Sequence, residues 1–380
     1  MGIEKITKVT VLGAGTMGHG IAQIAAASGY TVTLRDITQE ILEKALGNIR
    51  GSLERLVQRG RLSENDLRST LSRISTELDL KQAAKESDLI IEAVPENLNL
   101  KLRIFKEVDD SAQEEAILAS NTSSLSITDI AKAVRNPSRF VGIHFFNPPA
   151  LMRLAEITPG EKTSKETLDT ATAFAKKIGK TPVQVKKDSP GFIVNRILIT
   201  YINEAAKTVE KGDNEIIEVD SAMQYQAKFP IGPFLLADLI GIDIVYAVLA
   251  VFENKLGPFY KASAMIERLY KTQKFGRKTG EGFYLYKEGS PKIPDDAGAR
   301  FNTKNLLAPM LNEAARLVSE GVAEQGDIDT AMKLGANLLE GPFEAAKRLG
   351  IKSLVDSLKE MERKLGKGYA PSPLLTRMIE

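Results

Sequence analysis

An α/β unit built on a doubly wound, mostly parallel sheet, followed by two tandem all-α units, is the architecture to expect from this 380-residue chain. Three features lead to it. Over residues 5–186 short apolar runs alternate with amphipathic helical stretches, the pattern of successive βα repeats. From "GFIVNRILITYINEAAKTVEKG" (191–212) onward the pattern is helical throughout. The helical half also repeats itself. "YINEAAKTVEKG" at 201 matches "MLNEAARLVSEG" at 310, "EVDSAM" at 218 matches "DIDTAM" at 327, and "IGPF" at 231 matches "EGPF" at 340, a constant ungapped offset of 109 that marks a duplicated unit.

Taken in order, "KVTVLG" (8–13) is a short apolar strand, 16–28 a helix of small residues, and "YTVTLRD" (30–36) a second strand. An amphipathic helical stretch covers 38–60 and another 98–110. "SDLIIEAV" (87–94), "AILAS" (116–120) and "RFVGIHFF" (139–146) read as buried strands, and Glu156 lies in a further strand-like run. "TPVQVKKDSPGF" (181–192) ends the last strand at a Pro-Gly break, so the expected units are 1–186, 187–294 and 295–380. The first helical copy closes with "KFGRKTGEGFYLY" (274–286). The second runs to "PSPLLTRMIE", where the equivalent segment would begin, and either lost it or is cut from a longer polypeptide.

Composition excludes several functional classes. The 51 basic and 49 acidic residues leave a formal charge of +2, so no overall field recruits nucleic acid. With no cysteine and two histidines, disulfides, thiolate chemistry and the usual zinc constellations are excluded, and no metal is expected. The start enters a strand at once, without the pattern of a signal peptide, and no apolar run approaches the roughly 20 residues needed to span a bilayer. A soluble, cytoplasmic protein without a membrane partner is the expectation.

The turn after the first strand reads "GAGTMG", with Gly13, Gly15 and Gly18 as GxGxxG between a strand and a helix, and Asp36 ends the second strand. This is the dinucleotide fingerprint of a Rossmann-type domain in its full context. Gly13 permits the turn, Gly15 lets backbone approach a pyrophosphate, and Gly18 lets helix pack on strand. Asp36 accepts from ribose hydroxyls and repels a 2′-phosphate, which favours NAD over NADP. Arg35 points to the opposite face of its strand. His19, in the first turn of the helix, reads as a helix residue near the cofactor rather than a catalyst.

His144 ends a strand in "GIHFFNPP" and Glu156 follows twelve positions on. Histidine suits proton transfer because imidazole titrates near neutrality, and a carboxylate on its second nitrogen fixes the tautomer. Ligands of open α/β sheets bind beyond the strand C-termini, where His144 and Ser123 of "SNTSSLSI" both fall. On spacing alone, an acid/base and a packed core histidine both stay open.

"GAGTMGHGIA", "EAVPENLNLK", "SNTSSLSI", "HFFNPP", "DSPGFIVNR" and "KFGRKTGEGFY", in this order and spacing, resemble the NAD-dependent L-3-hydroxyacyl-CoA dehydrogenase family, which includes 3-hydroxybutyryl-CoA dehydrogenases. The resemblance covers residues 5 to about 286. The duplicated helical unit resembles the dehydrogenase part of fatty-acid oxidation multienzymes, where one chain carries both units that two subunits supply elsewhere. It implies His144 as catalytic base, Glu156 as its partner, and Ser123 and Asn195 on the substrate oxygen. For the cofactor it implies Glu96, Lys101, Asn147 and Lys278, and for coenzyme A it implies Ser52 and, where the family has lysine, Arg59. The implied reaction is reversible oxidation of a short-chain (S)-3-hydroxyacyl-CoA, such as 3-hydroxybutyryl-CoA. A related dehydrogenase of a free hydroxy or sugar acid, or a non-enzymatic NAD-binding protein on this scaffold, are the rival readings. Lys304 stands at the position equivalent to Asn195, so the second copy is expected to be structural, standing in for a partner subunit. A monomer with an internal pseudo-dimer, or a homodimer, follows, with a fused or associated enoyl-CoA hydratase as the expected partner.

Overall fold

The computed structural model describes residues 2–287 and 289–379. It divides into two compact units, Met1–Ser189 and Pro190–Glu380, the second holding both helical copies.

In the first unit eight strands form one sheet: β1 (Lys8–Leu12), β2 (Thr31–Arg35), β3 (Ile74–Glu77), β4 (Leu89–Glu92), β5 (Ile117–Ser120), β6 (Phe140–Phe145), β7 (Leu154–Pro159) and β8 (Thr181–Gln184). Their order is β3-β2-β1-β4-β5-β6-β7-β8. Neighbours are parallel except β6 and β7, which a short helix-free connection joins antiparallel. The chain winds outward from β1 to β3 and then from β4 the other way, so a crevice opens beyond the C-termini of β1 and β4. Every residue of β4, β5 and β6 is buried, as the continuous apolar runs require when helices cover both faces.

Seven helices accompany the sheet: α1 (Thr16–Ala27), α2 (Gln39–Gln58), α3 (Glu64–Ser72), α4 (Leu80–Lys85), α5 (Leu98–Asp109), α6 (Ile127–Ala131) and α7 (Lys165–Lys177). The Thr38 side chain caps α2, which buries Leu42, Ala45, Ile49 and Leu53 on one face and leaves the opposite face free. The stretch 61–86, which periodicity left without elements, holds α3, β3 and α4. β3 is an edge strand with no fully buried residue, so it lacks the apolar run that marks its neighbours.

The second unit is helical: α8 (Val194–Glu210), α9 (Ile216–Ser221), α10 (Pro233–Ile240), α11 (Ile242–Leu256) and α12 (Ala264–Lys271) in the first copy, and α13 (Lys304–Ser319), α14 (Gln325–Gly335), α15 (Pro342–Leu349), α16 (Ile351–Leu365) and α17 (Pro373–Arg377) in the second. The two copies repeat each other's hydrogen bonds at the same offset. Asp220 accepts from Phe234 N at 2.8 Å and Asp329 from Phe343 N at 2.9 Å. Asn203 bridges Lys261 O and Ser263 N, and Asn312 bridges Ala370 O and Ser372 N. Where α8 and α13 pack together, the contacts cross over. Tyr260 of the first copy donates to Glu313 of the second at 2.8 Å, and Tyr369 of the second donates to Glu204 of the first at 2.6 Å. Such reciprocity is the hallmark of a two-fold, isologous interface, here within one chain.

Candidate active site

His144 and Glu156 are directly opposed residues of the antiparallel β6–β7 pair, so their side chains leave the same face of the sheet. His144 Nδ1 lies 2.7 Å from Glu156 Oε2, with His144 5% and Glu156 0% exposed. The Phe146 ring, 4.5 Å away, flanks the imidazole. A buried carboxylate on Nδ1 leaves Nε2 as the ring atom for proton exchange.

β5 ends one strand away, and the loop after it is anchored from two sides. Asn121 accepts from Phe145 N at 2.8 Å, tying the loop to the end of β6. Glu96 accepts from Thr122 Oγ1 at 2.6 Å and from the backbone N–H groups of Ser123 and Ser124 at 2.9 and 3.0 Å. The Ser123 hydroxyl reaches the same carboxylate at 3.3 Å. Burial pushes the Glu96 carboxyl up, but the Lys101 ammonium and these donors together hold it below its usual range. Lys101 is buried, 2.6 Å from Glu92 and 3.3 Å from Glu96. Lys101 therefore presents almost no surface of its own, and its charge acts on Glu92 and Glu96. Glu92, at the end of β4, has no exposed surface and also accepts from Ser120 Oγ at 2.6 Å. Burial raises its carboxyl above the ordinary range against the pull of Lys101. Sequence reasoning passed over Glu92, although a lone acid inside the apolar "LIIEAV" demands a buried partner.

The glycine turn fits a dinucleotide. Gly13 has φ +97°, and a Cβ there would lie 2.7 Å from Ala93 O. A Cβ on Gly18 would collide with Gly13 O at 1.7 Å, so helix and turn need both glycines. Gly15 faces open space, with nothing within 4 Å of its Cβ position, which leaves room for a pyrophosphate at the start of α1. Asp36 accepts from Ala14 N at 2.6 Å and holds the turn against the end of β2. Arg35 turns away, its Nε donating to Leu78 O. His19 Nδ1 lies 2.7 Å from Gly15 O, an intrahelical contact in the first turn of α1.

A 560 Å³ cavity opens between α1, α2 and the turn 147–151, and Ser52, Arg59 and Asn147 all line it. Lys180 pins that turn from beneath by donating to Pro149 O and, at 2.7 Å, to Met152 O.

The remaining two candidates belong to the second unit. Asn195 stands in the first turn of α8, half-buried. Lys278 is exposed and pairs with the Asp243 carboxylate at the start of α11.

Residues 8–189 match the family described as 3-hydroxyacyl-CoA dehydrogenase, NAD binding domain. Residues 191–286, and again 301–380, match its C-terminal domain. The chain belongs to the 3-hydroxyacyl-CoA dehydrogenase family. It is accordingly an NAD-binding oxidoreductase. It is 43% identical over 290 residues to the mitochondrial hydroxyacyl-coenzyme A dehydrogenase of Sus scrofa, covering 74% of this chain and 92% of that one. To the fatty acid oxidation complex subunit alpha of Shewanella amazonensis it is 37% identical over 397 residues, spanning 99% of this chain and 55% of the subunit. The crystal structure of 3-hydroxybutyryl-CoA dehydrogenase from Escherichia coli superposes with a TM-score of 0.91 at 28% identity, covering 98% of both chains. Among the described residues of this family member no single helix is long and apolar enough to cross a membrane.

Proposed function

We propose that the chain interconverts (S)-3-hydroxyacyl-CoA and 3-oxoacyl-CoA, with short acyl chains such as 3-hydroxybutyryl preferred. The observation that carries this reading is the buried His144–Glu156 pair near the C-terminal end of β6, the same end of the parallel strands at which the nucleotide turn follows β1. In the oxidative direction His144 accepts the C3 hydroxyl proton at Nε2, while Glu156 orients the ring and balances the imidazolium charge. In reduction the same nitrogen returns the proton. The family resemblance implies Ser123 and Asn195 as the groups on the reacting oxygen. Bound NAD supplies the two-electron acceptor for the hydrogen on C3. Gly13, Gly15, Gly18, Asp36 and Asn147 would hold that cofactor, Glu96 and Lys101 brace the Ser123 loop, and the family resemblance adds Lys278 to the cofactor set. Ser52 and Arg59 take the coenzyme A moiety, the arginine binding phosphate in bidentate fashion.

For the helical unit we propose that 187–294 and 295–380 are two copies of one domain, the second replacing a partner subunit. The crossed tyrosine–glutamate contacts support this. The likeness to a fatty acid oxidation complex subunit supports association with an enoyl-CoA hydratase.

The deciding test is NADH consumption with acetoacetyl-CoA, beside free acetoacetate and beside NADPH. Turnover restricted to acetoacetyl-CoA with NADH is expected. Equal rates with free acetoacetate would favour a free hydroxy acid as the true substrate. His144→Ala should abolish turnover and leave NADH affinity intact.

A further inference from the structure

Resting on the acyl-CoA reading above, we propose that Gln23 binds substrate. Its carboxamide pairs with a donor–acceptor group of coenzyme A, along a cavity floor kept thin by Gly47 and Gly51.

Two independent observations meet in the cavity between α1 and α2. The first is Gln23 itself. It lines the cavity, is 4% exposed, and its side chain makes no hydrogen bond among the described residues. Its two N–H donors and carbonyl acceptor open onto the cavity rather than being shut away from solvent, so water meets them until a ligand with matching groups replaces it.

The second is the facing helix. Gly47 and Gly51 sit one turn apart in the interior of α2, where glycine is disfavoured relative to alanine. Protein packing does not demand them. A Cβ on Gly47 meets nothing within 4 Å, and one on Gly51 meets only the Arg55 guanidinium at 3.6 Å, an ordinary contact. Gly20, across the cavity on α1, differs: a Cβ there would lie 2.9 Å from Pro149, so the fold explains it. What Gly47 and Gly51 keep clear is space outside the protein. The same ridge of α2 continues at four-residue spacing to Arg55 and Arg59, which line the cavity too.

The ridge thus presents a bare, uncharged floor followed by two guanidinium groups. A long ligand with a slender neutral arm and a polyphosphate end fits that order. In coenzyme A the pantetheine arm carries two amides, each a donor–acceptor pair complementary to a carboxamide, and the adenine edge offers a similar pair. Arg55 and Arg59 face the phosphates.

The test uses the intact enzyme with NADH, comparing acetoacetyl-CoA with acetoacetyl-pantetheine. Gln23→Leu should raise KM for acetoacetyl-CoA about tenfold, with kcat within about twofold and KM for NADH unmoved, the signature of lost uniform binding. An equal rise with acetoacetyl-pantetheine assigns the partner to a pantetheine amide. A rise with acetoacetyl-CoA alone assigns it to the adenine edge. Gly47→Leu fills the floor without touching the core, so it should raise KM for both thioesters while raising the thermal midpoint. Wild-type turnover with unmoved KM in both variants would overturn the inference and leave the acyl-CoA reading intact. So would a Gln23→Leu effect spread over kcat, NADH binding and stability together with a silent Gly47→Leu. A wild-type enzyme inert toward acetoacetyl-CoA would instead sink the reading on which it rests.

Discussion

Glu156 has no exposed surface and His144 almost none, so their hydrogen bond sits where water does not weaken it. Glu156→Gln keeps the shape and removes the charge that balances an imidazolium. Steady-state kinetics with acetoacetyl-CoA should then show kcat lower by about 10²–10⁴-fold, with NADH binding unchanged. Glu96 acts on its neighbours in another way, as the acceptor that gathers the Thr122–Ser124 donors. Its carboxyl is held below the ordinary range in the folded protein. The stability it contributes is therefore complete above the unfolded carboxyl pKa and lost as pH falls through the lower folded value. Urea midpoints of wild type and Glu96→Gln, compared from about pH 6 down to about pH 3, should converge toward the acid end. A constant separation across that window would remove Glu96 from this role.

The turn 147–151 owes its shape to Lys180, buried just before β8, whose ammonium meets carbonyl oxygens. Burial pushes this lysine down to about 8. The unfolded chain, with the ordinary value of 10.5, then binds more protons than the folded one between the two, so this group adds stability as pH rises across that window. In Lys180→Met that increment should vanish: the stability difference in favour of wild type should grow from about pH 8 to about pH 10. A difference that shrinks would contradict the sign. In α2, Gly47→Ala should stabilise the protein by about 1 kcal/mol in chemical denaturation, because the added methyl meets no neighbour. The buried strands and long amphipathic helices are legible from pattern alone, whereas α3, β3 and α4 are not. Their cues lie in caps such as the Ser63–Asp66 box and Asp79 rather than in hydrophobic period.

Across the helical unit, the crossed pairs Tyr260–Glu313 and Tyr369–Glu204 join the two copies at buried positions. Tyr369→Phe removes one donor from the buried Glu204 carboxylate, which keeps Lys207, and should lower unfolding stability by about 1.5–3 kcal/mol, with a comparable loss for Tyr260→Phe, where Glu313 keeps Arg196 and Arg316. Arg196 breaks the symmetry. It is 1% exposed and paired with Glu313 and Glu320, while the equivalent position in the second copy is Asn305. If the second copy replaces a partner subunit, sedimentation equilibrium should return the mass of one chain. A stable dimer would show that the internal interface does not substitute for an external one.

The chain order of its residues determined the nucleotide turn, the alternation of strand and helix and the helical duplication. Each is written in local spacing, as a glycine pattern, an apolar run or a constant offset, and local spacing survives without a fold. Only the tertiary structure decided the rest. The antiparallel register that sets Glu156 against His144, and the hydrogen bonds by which Glu96 braces the Ser123 loop, arise between residues well separated in sequence. The same holds for the crossing of Tyr260 and Tyr369 between copies and for the placing of Gln23 in the α1–α2 cavity. Pair distances and burial depend on how the elements close on one another, and no periodicity in the chain records that closure.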